Sequence, residues 1–354
     1  MNNSVDELFS LPVSFLDSSG PAGEIALSTR IRLARNLAGH TFPNAASPEE
    51  KCDICEEISA AVNSGKVLDF DGEHREFDLT QLSEIDRKVL LERRLASSEF
   101  IAAPLEGKKL LVCPMERCSI MVNEEDQIRM QSIRPGFQLA EVYSEINVID
   151  DTLSEKLEYA FDSQLGFLTS CPTNAGTGMR ASVMLHLPGL VLSGQILPTI
   201  QGINKLHLAV RGIFGEGTDN RGNLFQISNQ YTLGESESKT IESLDTVIRQ
   251  LILHEKQARK NLLLRDRFTL LDHIGRAYGI LRHSYKLSSA EALQSLSFVR
   301  MGVDMGFFAS IDIAAVNELF IATGSAHLQK SAGRQLSDSE RDIARAELCR
   351  NKLK

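Results

Sequence analysis

No uninterrupted apolar run in the 354 residues is long enough to span a bilayer, and residues 1–20 lack the basic stretch and apolar core of a secretory signal. A cytoplasmic protein is the expectation. Cysteine is sparse: six residues, unevenly spaced, exclude a disulfide framework in a chain of this size. Cys52 and Cys55 form one CxxC, with Cys113 and Cys118 downstream, so a zinc site has to be weighed. A second CxxC is missing and Cys52 lies in a stretch of helical spacing. Buried free thiols are therefore expected, and no protein metal site. Positive charge is short as well. A net charge of -9 argues against direct nucleic-acid binding and against attraction to an anionic membrane. No internal repeat, no GxxxxGK[ST] and no HRD or DFG set is spelled, which removes the P-loop and the common protein-kinase site.

What is present is an ordinary globular composition, 42% hydrophobic and 24% charged, in a chain long enough for one large domain and a smaller one. Residues 1–24 read as an irregular leader. Residues 25–37 alternate as a strand, with Ile31 and Leu33 on one face and Arg30 and Arg32 on the other. Ser47-Pro48-Glu49-Glu50 spells a helix start, a second helix is expected over 80–95, and a glycine-lysine loop leads to a strand at 110–112. Two strand-like segments flank the acids Glu124, Glu125 and Asp126, and 138–162 reads as helix. Thr169–Pro188 combines a thiol, two close glycines and an alternating strand with Arg180 opposite the apolar face. A helix at 189–203 and a strand beginning at Leu206 follow, the strand setting Leu206, Leu208 and Val210 against His207, Ala209 and Arg211. From about residue 235 helical periodicity takes over, in about five segments, the last opening with the capping-box spelling Ser337-Asp-Ser-Glu340. The fold class expected is α+β: a sheet-based catalytic domain over 25–255, then a helical domain over 256–354.

Alternation puts Arg30, Arg32, Arg129, Arg180 and Arg211 on the non-core side of their strands. For any one arginine a solvated or salt-bridged face is the ordinary reading. Five together, three beside glycine- or acid-rich loops, suit a polyphosphate, because each guanidinium fork presents rigid donors that keep their charge. Gly176 to Ala181 matches GxGxxA but precedes a strand instead of opening a helix, so a dinucleotide fold is discarded. Glu125 and Glu216 are ordinary salt-bridge candidates. Their sharper role is to hold and deprotonate a guanidinium substrate, which is not nucleophilic until a proton leaves. Cys171 could assist as a thiolate, favoured by nearby cations.

These pieces resemble the phosphagen (guanidino) kinase family, and more closely its bacterial branch, the protein-arginine kinases of the McsB type. The resemblance rests on Ser28-Thr-Arg-Ile-Arg32, Asn123-Glu-Glu-Asp126 with Arg129, Cys171-Pro-Thr-Asn174, Gly176-Thr177 through Arg180, and Val210-Arg-Gly212 with Gly215-Glu216, in family order. It implies an antiparallel sheet flanked by helices, similar to glutamine synthetase. It implies ATP bound with Mg2+ by Ser28, Arg30, Arg32, Arg129, Arg180 and Arg211. Glu125 and Glu216 would orient the guanidinium, one as base, with Cys171 against it and Thr173 and Asn174 in the substrate loop. The SxRxR strand starts near residue 25, leaving no room for the helical domain that encloses a free amino acid in small-molecule guanidino kinases. Arg341-Asp342-Ile-Ala-Arg345-Ala346 matches the branch's RDxxRA phosphoarginine-binding motif, its arginines sharing a helix face at i,i+4. The implied partners are protein substrates bearing arginine, an McsA-type zinc adaptor, a heat-shock repressor, the Clp protease, and a second copy in a homodimer. One departure is Gln127, where the family commonly has histidine. The rival readings are a kinase of free arginine or another small guanidino compound, and a catalytically weak phosphoarginine-binding adaptor.

Overall fold

The architecture comes from a computed structural model that describes residues 5–70, 72–212 and 221–353. Ten strands are present among them: β1 (Ala26–Arg35), β2 (Arg75–Asp78), β3 (Lys109–Val112), β4 (Cys118–Val122), β5 (Ile128–Pro135), β6 (Phe161–Asp162), β7 (Gly166–Phe167), β8 (Met179–His186), β9 (Leu208–Gly212) and β10 (Leu224–Asn229). Eight form one antiparallel sheet in the order β2-β3-β4-β5-β1-β8-β10-β9, while β6 and β7 make a separate hairpin. The helices are α1 (Val5–Ser10), α2 (Pro48–Gly65), α3 (Glu84–Glu92), α4 (Ser98–Ile101), α5 (Leu139–Ser154), α6 (Pro188–Leu192), α7 (Ile196–Lys205), α8 (Glu237–Arg265), α9 (Arg267–His283), α10 (Ser289–Asp304), α11 (Ile313–Ala322), α12 (Ser325–Ala332) and α13 (Asp338–Lys352). No helix among the described residues is long and apolar enough to cross a membrane.

The alternation in the sequence decides which face of the sheet is core. Ile31, Leu33, Ile120, Ile128, Met130, Ala181, Val183 and Ile227 face one way, against apolar positions of α2, α5 and α8. Among the described residues two apolar clusters cover parts of the other face. On one side Phe15, Leu16, Ile133 and Met184 meet the C-terminal helices; on the other Leu110, Val112 and Met121 meet α1 and α3. The arginines stand between those two clusters.

Helix starts follow their caps. Ser47 Oγ accepts from Glu50 N at 3.2 Å, and Ser337 with Glu340 closes the predicted capping box. Elsewhere tertiary contacts override the pattern. The helix expected over 138–162 stops at Ser154, because the following segment pairs its backbone with the exit of β1: Ala38 N donates to Glu158 O and Ala160 N to Asn36 O. The helix expected over 189–203 is two, α6 and α7, broken where Gly194 takes φ +69°. The one expected over 80–95 begins at Glu84 behind Ser83 as cap. Leu206 and His207 belong to the turn after α7, with His207 at φ +57°, so the strand starts at Leu208 and Leu206 is exposed. Six helices, not five, follow residue 235, and part of the leader is the helix α1.

A buried polar lock joins the C-terminal helices to the sheet. Arg300 of α10 donates to Gly23 O (2.5 Å), Glu24 O (3.1 Å), Asn317 Oδ1 (2.9 Å) and His186 Nδ1 (3.0 Å). His186, at the end of β8, bonds Ser297 through Nε2 at 2.8 Å, and burial, then Arg300 and Arg259, push its pKa well below the usual imidazole range.

Candidate active site

β1 is the axis of the site, since it lies between β5 and β8. Its residue Arg32 is the Cα partner of Arg180 on β8 and of Gln131 on β5, and Ala34 is the partner of Arg129. Because side chains at i and i+2 share a face, Ser28, Arg30, Arg32, Arg129 and Arg180 all stand on one side. β10 extends that side. Gln226 pairs with Arg211 of β9 and Ser228 with Ser182 of β8. The strand thus brings the five arginines into one patch, half-buried, with Ser28 buried beneath.

Polar neighbours fix several of these groups. Arg30 Nη2 donates to Gln226 Oε1 and Arg180 Nη2 to Ser228 Oγ, both at 3.1 Å. Arg129 pairs with Glu124, which also accepts from Ser97 Oγ at 2.5 Å and from Glu125 N at 2.8 Å. Burial pushes the Glu124 carboxyl up, but Arg129, Ser97 and the Glu125 N–H outweigh it and hold it below the ordinary range. The uncompensated arginines feel the opposite. Burial, then Arg94, Arg129 and Arg180, push Arg30 down to about 9, and burial with Arg30, Arg129 and Arg180 pushes Arg32 well down. Arg32 Nε is buried without a hydrogen-bond partner. A patch of crowded cations with an orphaned buried donor fits a polyanionic ligand such as ATP phosphates.

Arg94 is a residue the sequence did not single out. It follows α3 at φ +61°, stacks over the Phe15 ring at 5.6 Å, and its carbonyl accepts from Gln131 Nε2 at 2.7 Å. Burial pushes it to about 10 and it in turn depresses Arg30, so six arginines share this field. No periodic signal marks a residue in a post-helical turn.

The candidate acceptor residues stand on two loops tied together. The segment after β4 carries Glu124 to Gln127; the segment before β8 carries Cys171 to Asn174 in a single 3-10 turn over Pro172–Asn174. Asp126, buried, accepts from Ser170 N at 2.6 Å and Asn36 Nδ2 at 2.7 Å. Asn174 Nδ2 reaches Glu125 Oε2 at 3.3 Å, and Cys171 Sγ and Thr173 Oγ1 are 2.9 Å apart. Glu125 lies 3.9 Å from Arg129, yet its pKa is raised, by burial foremost and by Asp126 and Glu124. A carboxylate with a raised pKa beside an exposed loop is a stronger base than a free one. Glu216 lies outside the described residues. Gln127 is buried and turned to the β1 exit: Oε1 accepts from Leu37 N at 2.5 Å and Nε2 donates to Thr41 O at 3.0 Å. Its difference from histidine therefore falls on loop support.

The RDxxRA arginines are engaged separately, which differs from the expected pair facing one phosphate. Arg345 is buried and donates to Thr323 O, Leu287 O and Asp342 Oδ1. Arg341 is half-buried, donating to Leu336 O and pairing with Asp338. Ala346 is buried in the helical core. The physical reason is that α13 packs Arg345 inward against the carbonyls at the ends of neighbouring segments, where a guanidinium offers several donors at once. Of the cysteines, Cys55, Cys113, Cys118 and Cys349 are buried, Cys171 is half-buried and Cys52 is exposed, contrary to its expected burial.

An arginine-lined antiparallel sheet face thus stands beside a pair of loops carrying Glu125 and Cys171. The family described as ATP:guanido phosphotransferase, C-terminal catalytic domain, matches residues 53–258, and the one described as Protein-arginine kinase McsB C-terminal domain matches 267–354. Relatives named Protein-arginine kinase are 42% identical over 339 residues in Moorella thermoacetica (96% of this chain, 97% of that one) and 45% over 333 in Syntrophomonas wolfei (93% and 92%). Another in Bacillus subtilis is 42% identical over 340 residues (96% and 93%). Among solved structures, lombricine kinase superposes with a TM-score of 0.59 at 22% identity over 72% of this chain and 70% of that one, a likeness of fold. The duplicated taurocyamine kinase of Schistosoma mansoni gives 0.58 at 28%, over 73% and 37%. The chain belongs to the protein-arginine kinases, within the ATP:guanido phosphotransferase family.

Proposed function

We propose that the chain transfers the γ-phosphoryl group of ATP to arginine guanidinium groups of proteins, with the roles distributed as the site suggests. The observation that carries this reading is the concentration of five like-charged arginines on one half-buried sheet face, beside the loops that carry Glu125 and Cys171. Arg30, Arg32, Arg129, Arg180 and Arg211 would hold the nucleotide phosphates and the phosphoryl group in flight. Glu125 and Glu216 would align the acceptor guanidinium. One of them removes a proton as the N–P bond forms and the bond from the γ-phosphorus to the β,γ-bridging oxygen breaks, with ADP as leaving group. Cys171 would lie against the guanidinium with Thr173 and Asn174.

Magnesium would neutralise and orient the phosphates. Its ligands would be phosphate oxygens and water, as suits a cation that dehydrates reluctantly. The wider reading is a homodimer whose helical domain senses phosphoarginine through the exposed part of the RDxxRA segment, working with an McsA-type zinc adaptor, a heat-shock repressor and a Clp protease. It rests on the family resemblance and on the C-terminal match.

The deciding experiment offers γ-labelled MgATP to an unstructured protein and to free arginine in parallel. Acid-labile label on the protein is expected, because an N–P bond hydrolyses in acid where serine and threonine esters survive. Label on free arginine alone would assign the chain to the small-molecule branch. Glu216→Gln should abolish transfer while ATP binding persists.

A further inference from the structure

Beside the Cys171 loop, off the arginine face, lies an open groove of about 600 Å3. Its apolar lining includes Phe161 and Leu165 of the β6–β7 hairpin and Leu233 ahead of α8, which are 60%, 50% and 51% exposed. Large apolar side chains gathered in a concavity mark a contact surface more than a solvated one. The groove is continuous with the acceptor loop through the backbone: Phe167 N donates to Gly176 O (2.8 Å) and Thr177 N to Thr232 O (3.1 Å). Thr232 Oγ1 donates onward to Ala175 O (2.6 Å) and Thr173 O (2.9 Å).

The surface is also held in shape before anything binds. Phe161 rests edge-on against Phe167 at 5.3 Å. Phe167 in turn lies under the Arg35 guanidinium at 3.6 Å, and Arg35 is clamped by Asp150 and by the carbonyls of Ala34 and Thr177. Two acids also line the groove: Glu235, exposed and ion-paired with Lys239 at 3.0 Å, and Glu237, which accepts from Tyr143 Oη at 2.6 Å.

We infer that this groove receives the polypeptide flanking the acceptor arginine, taking apolar side chains of an extended, unfolded segment while Glu237 favours its cationic residue. The inference rests on the reading of protein arginine as acceptor. Apolar side chains next to an arginine are accessible mainly where the substrate chain is unfolded, since folding buries most of them. The groove therefore selects non-native polypeptide over folded surface.

The test uses the full chain and its Phe161→Ser/Leu233→Ser variant with three probes. The first is a fluorescent short peptide with leucine and phenylalanine around a lysine, read by anisotropy; the second is its arginine counterpart as acceptor; the third is N-acetylarginine methylamide. The variant should weaken peptide binding and raise the peptide KM by about tenfold or more, with kcat/KM for N-acetylarginine methylamide and the KM for ATP unchanged. Equal losses on both acceptors, or an unchanged peptide Kd, overturn the inference. A change of oligomeric state by sedimentation with unchanged peptide Kd would assign the surface to a second copy of this chain instead. A wild-type protein that phosphorylates neither acceptor removes the underlying reading, and the anisotropy of the lysine peptide then still reports on the groove by itself.

Discussion

Arg32 of β1 and Arg180 of β8 are Cα partners on one rung of the central sheet, two like charges placed directly opposite each other. Such a pair opposes folding, and burial with the neighbouring arginines intensifies the cost at Arg32. What holds the rung in register is the other face of the same strands, where Ile31, Leu33, Ala181 and Val183 are buried in the core. The strain is left for a polyanion to relieve.

Arg32→Met should therefore stabilise the ligand-free protein by up to about 1 kcal/mol while abolishing function. Thermal denaturation with and without ATP reads both effects. A higher melting temperature without ATP, no further rise on adding it, and transfer reduced by about a thousandfold or more are expected. An undiminished ATP-induced shift would place the nucleotide elsewhere.

Glu125→Gln should lower kcat by about 10² to 10⁴ with little change in ATP affinity. Because the folded carboxyl has a raised pKa, it is protonated more readily than in the unfolded chain. Whatever stability it contributes is present at acid pH and is lost as pH rises through that value, while activity moves the other way where Glu125 is the base of the proposed pair, since the base must be ionised. The acid limb of the kcat/KM profile should therefore lie above 4.5, and it should vanish from the residual activity of the variant. A limb unmoved by the substitution would assign it to another group.

Gln127→Leu leaves Leu37 N buried without its partner, frees the carbonyl of the exposed Thr41, and should cost about 1–3 kcal/mol in urea unfolding. Gln127→His keeps a ring nitrogen for one of them and should cost less. Both variants, where folded, should keep kcat within about threefold, because the side chain supports the loop and touches none of the site arginines. Asp126→Ala is the contrasting case. It releases Ser170 N and Asn36 from the acceptor loop and should raise the KM for protein acceptor well above any change in the KM for ATP.

His186 ties pH to stability at the other end of β8. Its folded pKa lies well below 6.5, so neutral His186 contributes stability that is complete above 6.5 and lost as pH falls below it. Urea unfolding at neutral and mildly acid pH should show this loss in the wild type and a smaller one in His186→Asn. Arg300→Ala, which strips Gly23 O, Asn317 Oδ1 and His186 Nδ1 of their partner and leaves Glu24 O and Asp304 with Arg259, should cost about 3–5 kcal/mol at either pH.

Much of this site was legible before any coordinates. The period of two in residues 25–37 and 179–186 assigned Arg30, Arg32 and Arg180 to the non-core face, and the same rule worked for Arg129 and Arg211. It failed at Leu206, where apolar alternation runs on into a turn that His207 closes at positive φ. Helix caps at Ser47 and Ser337 were legible because the capping bond is made within four residues. The split at Gly194 and the early end of α5 depend on partners far along the chain or on a single backbone angle, and no local pattern carries them.

By itself the sequence determined which side of each strand an arginine occupies, because alternation is a property of the extended backbone, and it determined the order of the motifs. Only the tertiary structure decided that β1 would lie between β5 and β8, setting Arg32 against Arg180 and Ala34 against Arg129. It also turned Arg345 inward against Thr323 O and Leu287 O, and brought Arg94 from a turn after α3 to the arginine patch. Those choices join residues tens to more than a hundred positions apart, and they are settled by which apolar faces bury together, a balance summed over the whole core.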